Sequence, residues 1–147
     1  MVGVLPTVLL GLIMSFFKKA KDGGPQSPVD AFFLFEIKSL CSIALLRFNP
    51  GGREAFHTHA FNAWTWFLYG ELLEEHLTSD GWVKYSFYKR SLFPKITRRS
   101  RNHRVYAERT SWCLTIRGPW ADTWTEDTST HHTVLTHGRK ILEKSEK

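Results

Sequence analysis

Short apolar runs separated by turn signals are the feature of this sequence that most limits how it can fold. From residue 32 onwards these runs recur at roughly ten-residue spacing. They cover residues 32–37, 39–48, 63–69, 72–77, 82–88, 91–96, 104–107 and 111–117, with weaker runs at 121–125 and 133–135. The turn signals are Asn49-Pro50-Gly51-Gly52, Ser79-Asp80-Gly81 and Gly118-Pro119. Many short strands punctuated in this way are typical of a sandwich or barrel, so the sequence predicts an all-β domain.

The two ends of the chain differ from this strand-rich middle. Residues 1–17 are nearly all apolar, residues 20–30 are rich in glycine, proline and polar side chains, and the last residues are highly charged. We expect an apolar N-terminal segment and linker over 1–30, a β-barrel domain over 31–138, and a charged tail with a short helix over 139–147.

The apolar run of residues 1–17 has three interpretations. It is shorter than the roughly 20 apolar residues of a spanning helix, and Lys18 and Lys19 follow it instead of preceding it as in a signal peptide. Membrane association through this run is one interpretation, and packing on the barrel or on a partner is the second. The third is that the native chain starts at Met14. We favour the second and the third.

Composition and charge narrow the classes of function. The chain has 147 residues, which suits one domain, and its two cysteines are too few for a disulfide framework. Cys41 and Cys113 lie in apolar runs, so we expect buried, reduced thiols and a cytoplasmic protein. The net charge of +6 raises the question of nucleic acid. The cations are scattered and no helix-turn-helix or RNP-like pattern accompanies them, so nucleic-acid binding is the least favoured class.

Three of the seven histidines form the candidate site. His57 and His59 make an H-x-H pair, and residues i and i+2 of a strand face the same side, so their imidazoles could converge on one ion. His103, at the start of a later strand pattern, is the best candidate for a third ligand. Three neutral imidazoles with open positions suit Zn, Fe, Ni, Mn or Cu. Histidines that are packed without an ion are the alternative on spacing alone.

Two stretches around these histidines resemble the two motifs of the cupin family. Residues 51–75, GGREAFHTHAFNAWTWFLYGELLEE, resemble the first motif, in which a glycine (Gly51), five residues and H-x-H lead to a closing glycine (Gly70). Residues 101–124, RNHRVYAERTSWCLTIRGPWADTW, resemble the second motif, with His103 as its histidine. The sequence is most similar to small single-domain cupins of bacteria and phages.

The resemblance implies a fold, a metal and a class of function. The fold is a single-domain cupin-type β-barrel, also called a double-stranded β-helix or jelly roll. The metal is a divalent transition metal, Fe, Zn, Mn or Ni, held by His57, His59 and His103. The function implied is that of a metal-dependent oxygenase or isomerase acting on a small polar or anionic molecule in the barrel mouth. The alternative is a module that binds a small ligand without catalysis. A homodimer is a further expectation, by analogy with other cupins.

The sequence departs from the family pattern at one position of the first motif. The glutamate that usually follows H-x-H is absent, and Ala63 and Trp64 stand where it would fall. A carboxylate from another strand, Glu74 or Glu75, could supply the fourth ligand instead. Glu74 and Asn62 could also hydrogen-bond to a ring nitrogen that faces away from the ion. The fourth ligand is therefore left open.

Candidate substrate-binding residues are arginines and aromatic side chains near these motifs. A guanidinium pairs bidentately with a carboxylate or phosphate, so Arg47, Arg53, Arg104 or Arg117 could clamp an anionic group. The ring of Trp66 could wall the pocket, and packing in the barrel core is its alternative use. We expect substrate contacts from Arg47, Arg104, Trp66 and Tyr106.

Overall fold

The computed structural model describes residues 15–147, which form an all-β domain. In chain order the strands are β1 (Ser15–Lys21), β2 (Val29–Ile37), β3 (Cys41–Phe48), β4 (Gly51–Gly52), β5 (Phe56–His57), β6 (Ala63–Tyr69), β7 (Leu72–Leu77), β8 (Val83–Tyr88), β9 (Lys95–Thr97), β10 (His103–Ala107), β11 (Ser111–Arg117), β12 (Thr123–Asp127), β13 (His131–Thr136) and β14 (Lys140–Glu146). A 3-10 turn, His137–Arg139, joins β13 to β14. The predicted all-β fold is confirmed.

The strands form two antiparallel sheets that share one core. The first sheet has the order β1-β2-β3-β11-β6-β9, and the second has the order β14-β13-β12-β5-β10-β7-β8, with β4 beside β10. Phe33 and Leu46 of the first sheet and Leu72 and Ala107 of the second belong to the same buried apolar cluster. The two inner faces therefore pack against each other in a jelly-roll arrangement.

Alternation along the strands decides which side chains face the interior. In β11, one of the two central strands of the first sheet, Ser111, Cys113, Thr115 and Arg117 are buried, and the residues between them are only half-buried. Successive side chains of a strand point to opposite faces, so this pattern marks the inner face. An arginine on that face at the end of β11 is unusual, because charged residues are seldom buried without a partner.

The strongest sequence patterns match the strands closely. The runs at 63–69, 72–77 and 111–117 coincide at both ends with β6, β7 and β11. The run at 91–96 shrinks to the short β9, which begins after Pro94. Proline lacks the backbone N–H that a strand ladder needs, so pairing starts only beyond it.

The short helix predicted for residues 139–147 is wrong, because the structure has β14 there. Every residue of β14 is exposed, so side-chain burial favours neither helix nor strand. Backbone pairing decides instead: β14 extends along the edge of β13, with His132 opposite Ser145. Gly138, at a φ of 72°, allows the tight turn that returns the chain onto that edge.

The glycine- and proline-rich stretch expected to be a linker is instead a hairpin connection. β1 pairs with β2, with Ala20 opposite Ala31, so the described part of the N-terminal segment belongs to the first sheet. Gly23 and Gly24 have φ values of 99° and 101° and turn the chain between the two strands.

The interpretations of residues 1–17 fall almost wholly outside the described part of the chain. A search of residues 15–147 finds no helix with the length and apolar character needed to cross a membrane.

Both cysteines are free thiols in the structure. Cys113 is buried in the core and Cys41 is half-buried. Burial raises the pKa of the Cys113 thiol to about 12, so this group stays protonated at neutral pH.

Candidate metal centre

Three histidine side chains meet at one place inside the barrel. His57, the last residue of β5, stands opposite His103, the first residue of β10, and His59 follows in the loop after β5. The ring centroid of His57 lies 4.9 Å from that of His59 and 5.1 Å from that of His103. One ring nitrogen from each residue lies within 4.8 Å of the other two. The structure therefore brings together the three residues that the sequence selected.

Burial keeps these imidazoles neutral at physiological pH. Burial, followed by the charge of nearby His103, holds the pKa of His57 well below its ordinary value. Burial and then His57 act in the same direction on the pKa of His59. Burial, followed by the charge of Lys95, lowers the pKa of His103 to about 3. A neutral imidazole retains the nitrogen lone pair that a metal ion requires.

The ring nitrogens are arranged so that one side of each ring could face an ion. The Nε2 atoms of His59 and His103 are 2.9 Å apart. Nδ1 of His57 lies 3.4 Å from the carbonyl oxygen of Ala55, and Nδ1 of His103 lies 3.4 Å from Oε1 of Glu74. A proton on Nδ1 of His57 would lie near the carbonyl oxygen of Ala55, and a proton on either Nδ1 would leave the Nε2 atom of that ring unprotonated. Such outer acceptors orient the histidine ligands of metal sites.

Glu74 lies behind His103 and is not one of the converging groups. It is only 1% exposed, and its carboxylate contacts Lys95 and Arg101 as well as facing Nδ1 of His103. Two cations thus compensate the buried carboxylate. Glu74 is therefore placed beside His103 and outside the group of three converging nitrogens, and its role in orienting His103 stays a prediction.

Asn62 does not join the histidines either. Its Oδ1 accepts a hydrogen bond of 2.8 Å from the backbone N–H of Arg99, and its carbonyl oxygen accepts one of 2.9 Å from the N–H of Gly118. Asn62 is exposed and links two loops. The prediction that Asn62 contacts the ion or a ligand histidine does not fit this position, because both of its oxygens are directed at loop backbone.

Of the two positions where the glutamate of the first motif would fall, only position 63 lies on the inner face of β6. Ala63, the first residue of β6, is buried and lines the interior, whereas Trp64 is 53% exposed on the outer side. A side chain at position 63 would therefore point inward, and alanine leaves that space free of a carboxylate.

A cavity of about 340 Å³ extends from the histidines into the barrel. This volume lies at the small end of the usual range for ligand sites. Its walls are largely apolar and aromatic, and include Phe33, Phe61, Phe67, Tyr88, Trp120 and Trp124. The cavity therefore has room for a small organic molecule beside the histidines.

One charged group beside the histidines was missed at the sequence level. Glu126 on β12 stands opposite His57 in the strand register and lines the cavity. Its carboxylate contacts Arg53 and also accepts a hydrogen bond of 2.9 Å from Arg139. Nothing in the local sequence marks Glu126, because only the pairing of β12 with β5 brings it near the histidines.

The four residues expected to contact substrate lie outside the cavity walls. Arg47 pairs with Asp30 at 2.7 Å on the outer side of β3, next to inward-facing Leu46. Arg104 contacts Glu75 on the outer side of β10. Trp66 alternates with cavity-lining residues of β6, and Tyr106 is 50% exposed. The substrate prediction for Arg47, Arg104, Trp66 and Tyr106 does not fit this cavity, because strand alternation turns each of them outward.

Comparison with known proteins gives a likeness in fold. No protein-family model matches the chain, and no curated protein matches it in sequence. Solved structures do match. They include oxalate decarboxylase from Bacillus subtilis at pH 4.6, with a TM-score of 0.52 at 15% identity. A tryptophan-to-phenylalanine variant of that enzyme has a TM-score of 0.52 at 17% identity, and a glutamate-to-alanine variant has 0.53 at 15%.

Each match covers 73% of this chain and 29% of the oxalate decarboxylase chain. The present chain therefore corresponds to less than a third of that enzyme's length. These neighbours have the cupin fold. This chain has the cupin fold. At such low identity the likeness extends to the fold alone.

Proposed function

We propose that this cupin-fold protein binds a divalent transition metal on His57, His59 and His103. The observation that carries the proposal is the convergence of three neutral imidazoles, of which His103 is buried and His57 and His59 are half-buried, with one nitrogen from each lying within 4.8 Å of the others. Buried Nδ1 of His103 has no hydrogen-bond partner of good geometry among the described residues, although Glu74 lies 3.4 Å away. A metal on Nε2 of His103 would fix the tautomer with its proton on Nδ1, the nitrogen nearer to this carboxylate.

The donor set and the cupin resemblance together suggest the metal. Imidazole ligands with open positions suit several divalent transition metals, and we propose Fe, Mn, Ni or Zn, the ions that the resemblance implies. One of the similar solved structures concerns the Mn(II) centres of Bacillus subtilis oxalate decarboxylase. Mn(II) is therefore the first ion to test.

We propose that the metal serves small-molecule chemistry in the cavity, as in a metal-dependent oxygenase or isomerase. When bound, the metal would act as a Lewis acid on a substrate oxygen. The protein's own contribution is to hold and shield: Glu74 orients His103, and the aromatic walls exclude water from the reacting end of the molecule. The basic groups on the cavity wall favour a polar or anionic substrate.

A binding function without catalysis is the second candidate. Ala63 in place of the usual glutamate favours it, because the metal would then lack a carboxylate ligand from the first motif. The two candidates differ in turnover and not in metal content. Oxygen uptake and product formation with a panel of keto acids, thiols, sugars and oxalate separate them, since a binding module retains ligand and metal but converts none of these compounds.

Metal content tests the site directly. Protein purified without added metal is analysed by mass spectrometry for Fe, Mn, Ni and Zn, in the wild type and in a His57→Ala, His59→Ala double variant. We expect about one ion per chain in the wild type and almost none in the double variant. A His131→Ala, His132→Ala variant controls for loss of two histidines elsewhere. A double variant that keeps its full metal content would overturn the site.

A further inference from the structure

A second group of polar side chains lines the same cavity next to the histidines. Phe61 connects the two regions, since its ring centroid lies 5.2 Å from that of His59 and 5.4 Å from that of Trp120. The guanidinium carbon of Arg117 lies 4.6 Å from the same phenyl ring. Arg117, Trp120 and the neighbouring Lys38 are called the donor cluster below, because all three offer hydrogen-bond donors.

Arg117 is the most deeply buried member of the donor cluster. Its side chain is 4% exposed, at the inward-facing end of β11. One terminal nitrogen donates a hydrogen bond of 2.6 Å to Asp22. Its Nε–H is buried and has no acceptor among residues 15–147. A buried donor without an acceptor is uncommon in folded proteins and indicates a partner that is supplied from elsewhere.

Trp120 is the second residue of the donor cluster with a donor that lacks an acceptor. Its indole Nε1–H is also buried without an acceptor among the described residues, and the residue lines the cavity. Trp120 is fixed by a hydrogen bond of 2.8 Å from its backbone N–H to the carbonyl oxygen of Lys38. An indole N–H can only donate. The two orphaned groups thus require the same thing, an acceptor.

Lys38 adds a positive charge. Its Nζ lies 4.6 Å from the Trp120 ring centroid, and the residue lines the cavity. None of the ion pairs formed within residues 15–147 includes Lys38. Asp22 offsets the charge of Arg117, so Lys38, which is exposed to solvent, is the cation of the donor cluster that no carboxylate of the described residues pairs with.

We infer that the donor cluster binds the carboxylate of a small organic acid. A carboxylate has two oxygens that accept hydrogen bonds and carries a single negative charge. It matches the two orphaned N–H groups and the single uncompensated cation. A phosphate dianion would exceed the positive charge available.

The position of the donor cluster defines the rest of the ligand. Phe61 stands in contact with both Arg117 and His59, and Phe33 lies 5.7 Å from the Arg117 guanidinium. The body of the acid would pack on these rings, with its opposite end at the histidines. The orientation toward the histidines rests on the proposed metal site, whereas recognition of the carboxylate does not.

Calorimetric titration with matched acids and amides tests the inference. The probes are acetate, phenylacetate and 4-phenylbutyrate, each paired with its neutral amide, and phenyl phosphate. We expect at least one acid to bind about 10-fold more tightly than its amide, because a hydrogen bond to a charged group is lost in the amide. Equal affinity of every acid and its amide would overturn the inference. Phenyl phosphate binding more tightly than the acids would overturn the carboxylate assignment.

Variants locate the effect on the donor cluster. Trp120→Phe retains a packed ring and removes only the indole N–H, and Arg117→Lys retains the charge and removes Nε. We expect each to weaken binding of the acid about 10-fold and to leave the amide unaffected. Trp112→Phe and Arg47→Lys, on the outer side of the barrel, are the matched controls and should bind like the wild type. Unchanged acid affinity in folded Trp120→Phe and Arg117→Lys proteins would overturn the site.

The same titration separates this inference from the metal proposal. It is repeated in the His57→Ala, His59→Ala double variant. A retained preference for acid over amide supports the donor cluster whatever the metal content of the wild type proves to be. Loss of the preference in that variant, in a protein that remains folded, would show that the acid binds at the histidines and would overturn the donor cluster.

Discussion

Arg47 and Arg117 have similar bonding partners, but Arg47 is partly exposed and Arg117 is buried. Arg47 bonds to Asp30 at 2.7 Å and lies within 6 Å of the rings of Phe32 and Trp112 (5.6 and 5.8 Å). Arg117 bonds to Asp22 at 2.6 Å and likewise lies against two phenyl rings. The Arg47 side chain is 33% exposed and the Arg117 side chain is 4% exposed. The same ion pair and the same stacking thus occur on the two sides of one barrel wall.

The difference lies in how far each guanidinium is satisfied. Nε and a terminal nitrogen of Arg47 both donate to Asp30, and water can reach the remaining groups. Nε of Arg117 is buried and has no acceptor within the described residues. An unsatisfied donor costs little at a wet surface and much in a dry interior. The two arginines have the same kinds of contact, and burial distinguishes Arg117, which lines the cavity, from Arg47, which does not.

The largest effect on stability is expected on β7, where Glu74 faces the interior and Glu75 faces outward. We expect Glu74→Gln to lower the free energy of unfolding by about 3–5 kcal/mol, because Lys95 and Arg101 would lose their buried counter-charge. Glu75→Gln should cost less than about 1 kcal/mol, since its pair with Arg104 is solvent-accessible. Urea unfolding of the two variants measures this. Equal losses of unfolding free energy would contradict the assignment of the two carboxylates to opposite faces of β7.

Ala63 and Trp64 give a second contrast between an inward-facing and an outward-facing position, and here the expected change is a gain in metal affinity. Ala63→Glu places a carboxylate in the cavity at the position where the cupin motif has one. We expect metal affinity to rise about 10-fold and the metal-free protein to become less stable, because the added carboxylate is buried without a partner. Trp64→Glu, on the outer side, should leave metal affinity unchanged. Competition titration with a chelator measures affinity, and an unchanged value for Ala63→Glu would contradict the assigned geometry.

The smallest expected effect concerns Asp30, the partner of Arg47. Hydrogen bonds from Lys21, Arg47 and Asn49 hold the pKa of Asp30 well below its ordinary value of 3.8. A lowered carboxyl pKa adds stability at pH values above 3.8, and this contribution is lost as the pH falls below that value. Because Lys21 and Arg47 are themselves partly exposed, we expect Asp30→Asn to cost only about 1 kcal/mol at pH 7. The difference from wild type should shrink below pH 4 in acid-unfolding curves. A constant difference would contradict the assignment.

Much of the fold was predictable because strand signals are local. Alternating apolar residues and turn-forming residues set the bounds of β6, β7 and β11 without knowledge of their partners. The failures occurred where pairing overrides local preference. Residues 140–146 contain good helix formers, yet the free edge of β13 makes them a strand, and the glycine-rich stretch before β2 closes a hairpin.

The candidate site was predictable in part. The H-x-H spacing pointed to His57 and His59, and the family motif pointed to His103. Alternation on β10 could also have excluded Arg104 and Tyr106, which are one and three residues from inward-facing His103. No such rule could have found Glu126, because it approaches His57 only through the pairing of β12 with β5.

The sequence by itself determined that the chain forms many short strands and that two histidines share a face, because both properties depend on neighbours one or two residues apart. The tertiary structure decided which arginine enters the cavity, which carboxylate stands behind His103, and that Arg117 and Trp120 keep donors without acceptors. These properties depend on which strands pair and on where water is excluded, and both are set by residues far apart in the chain.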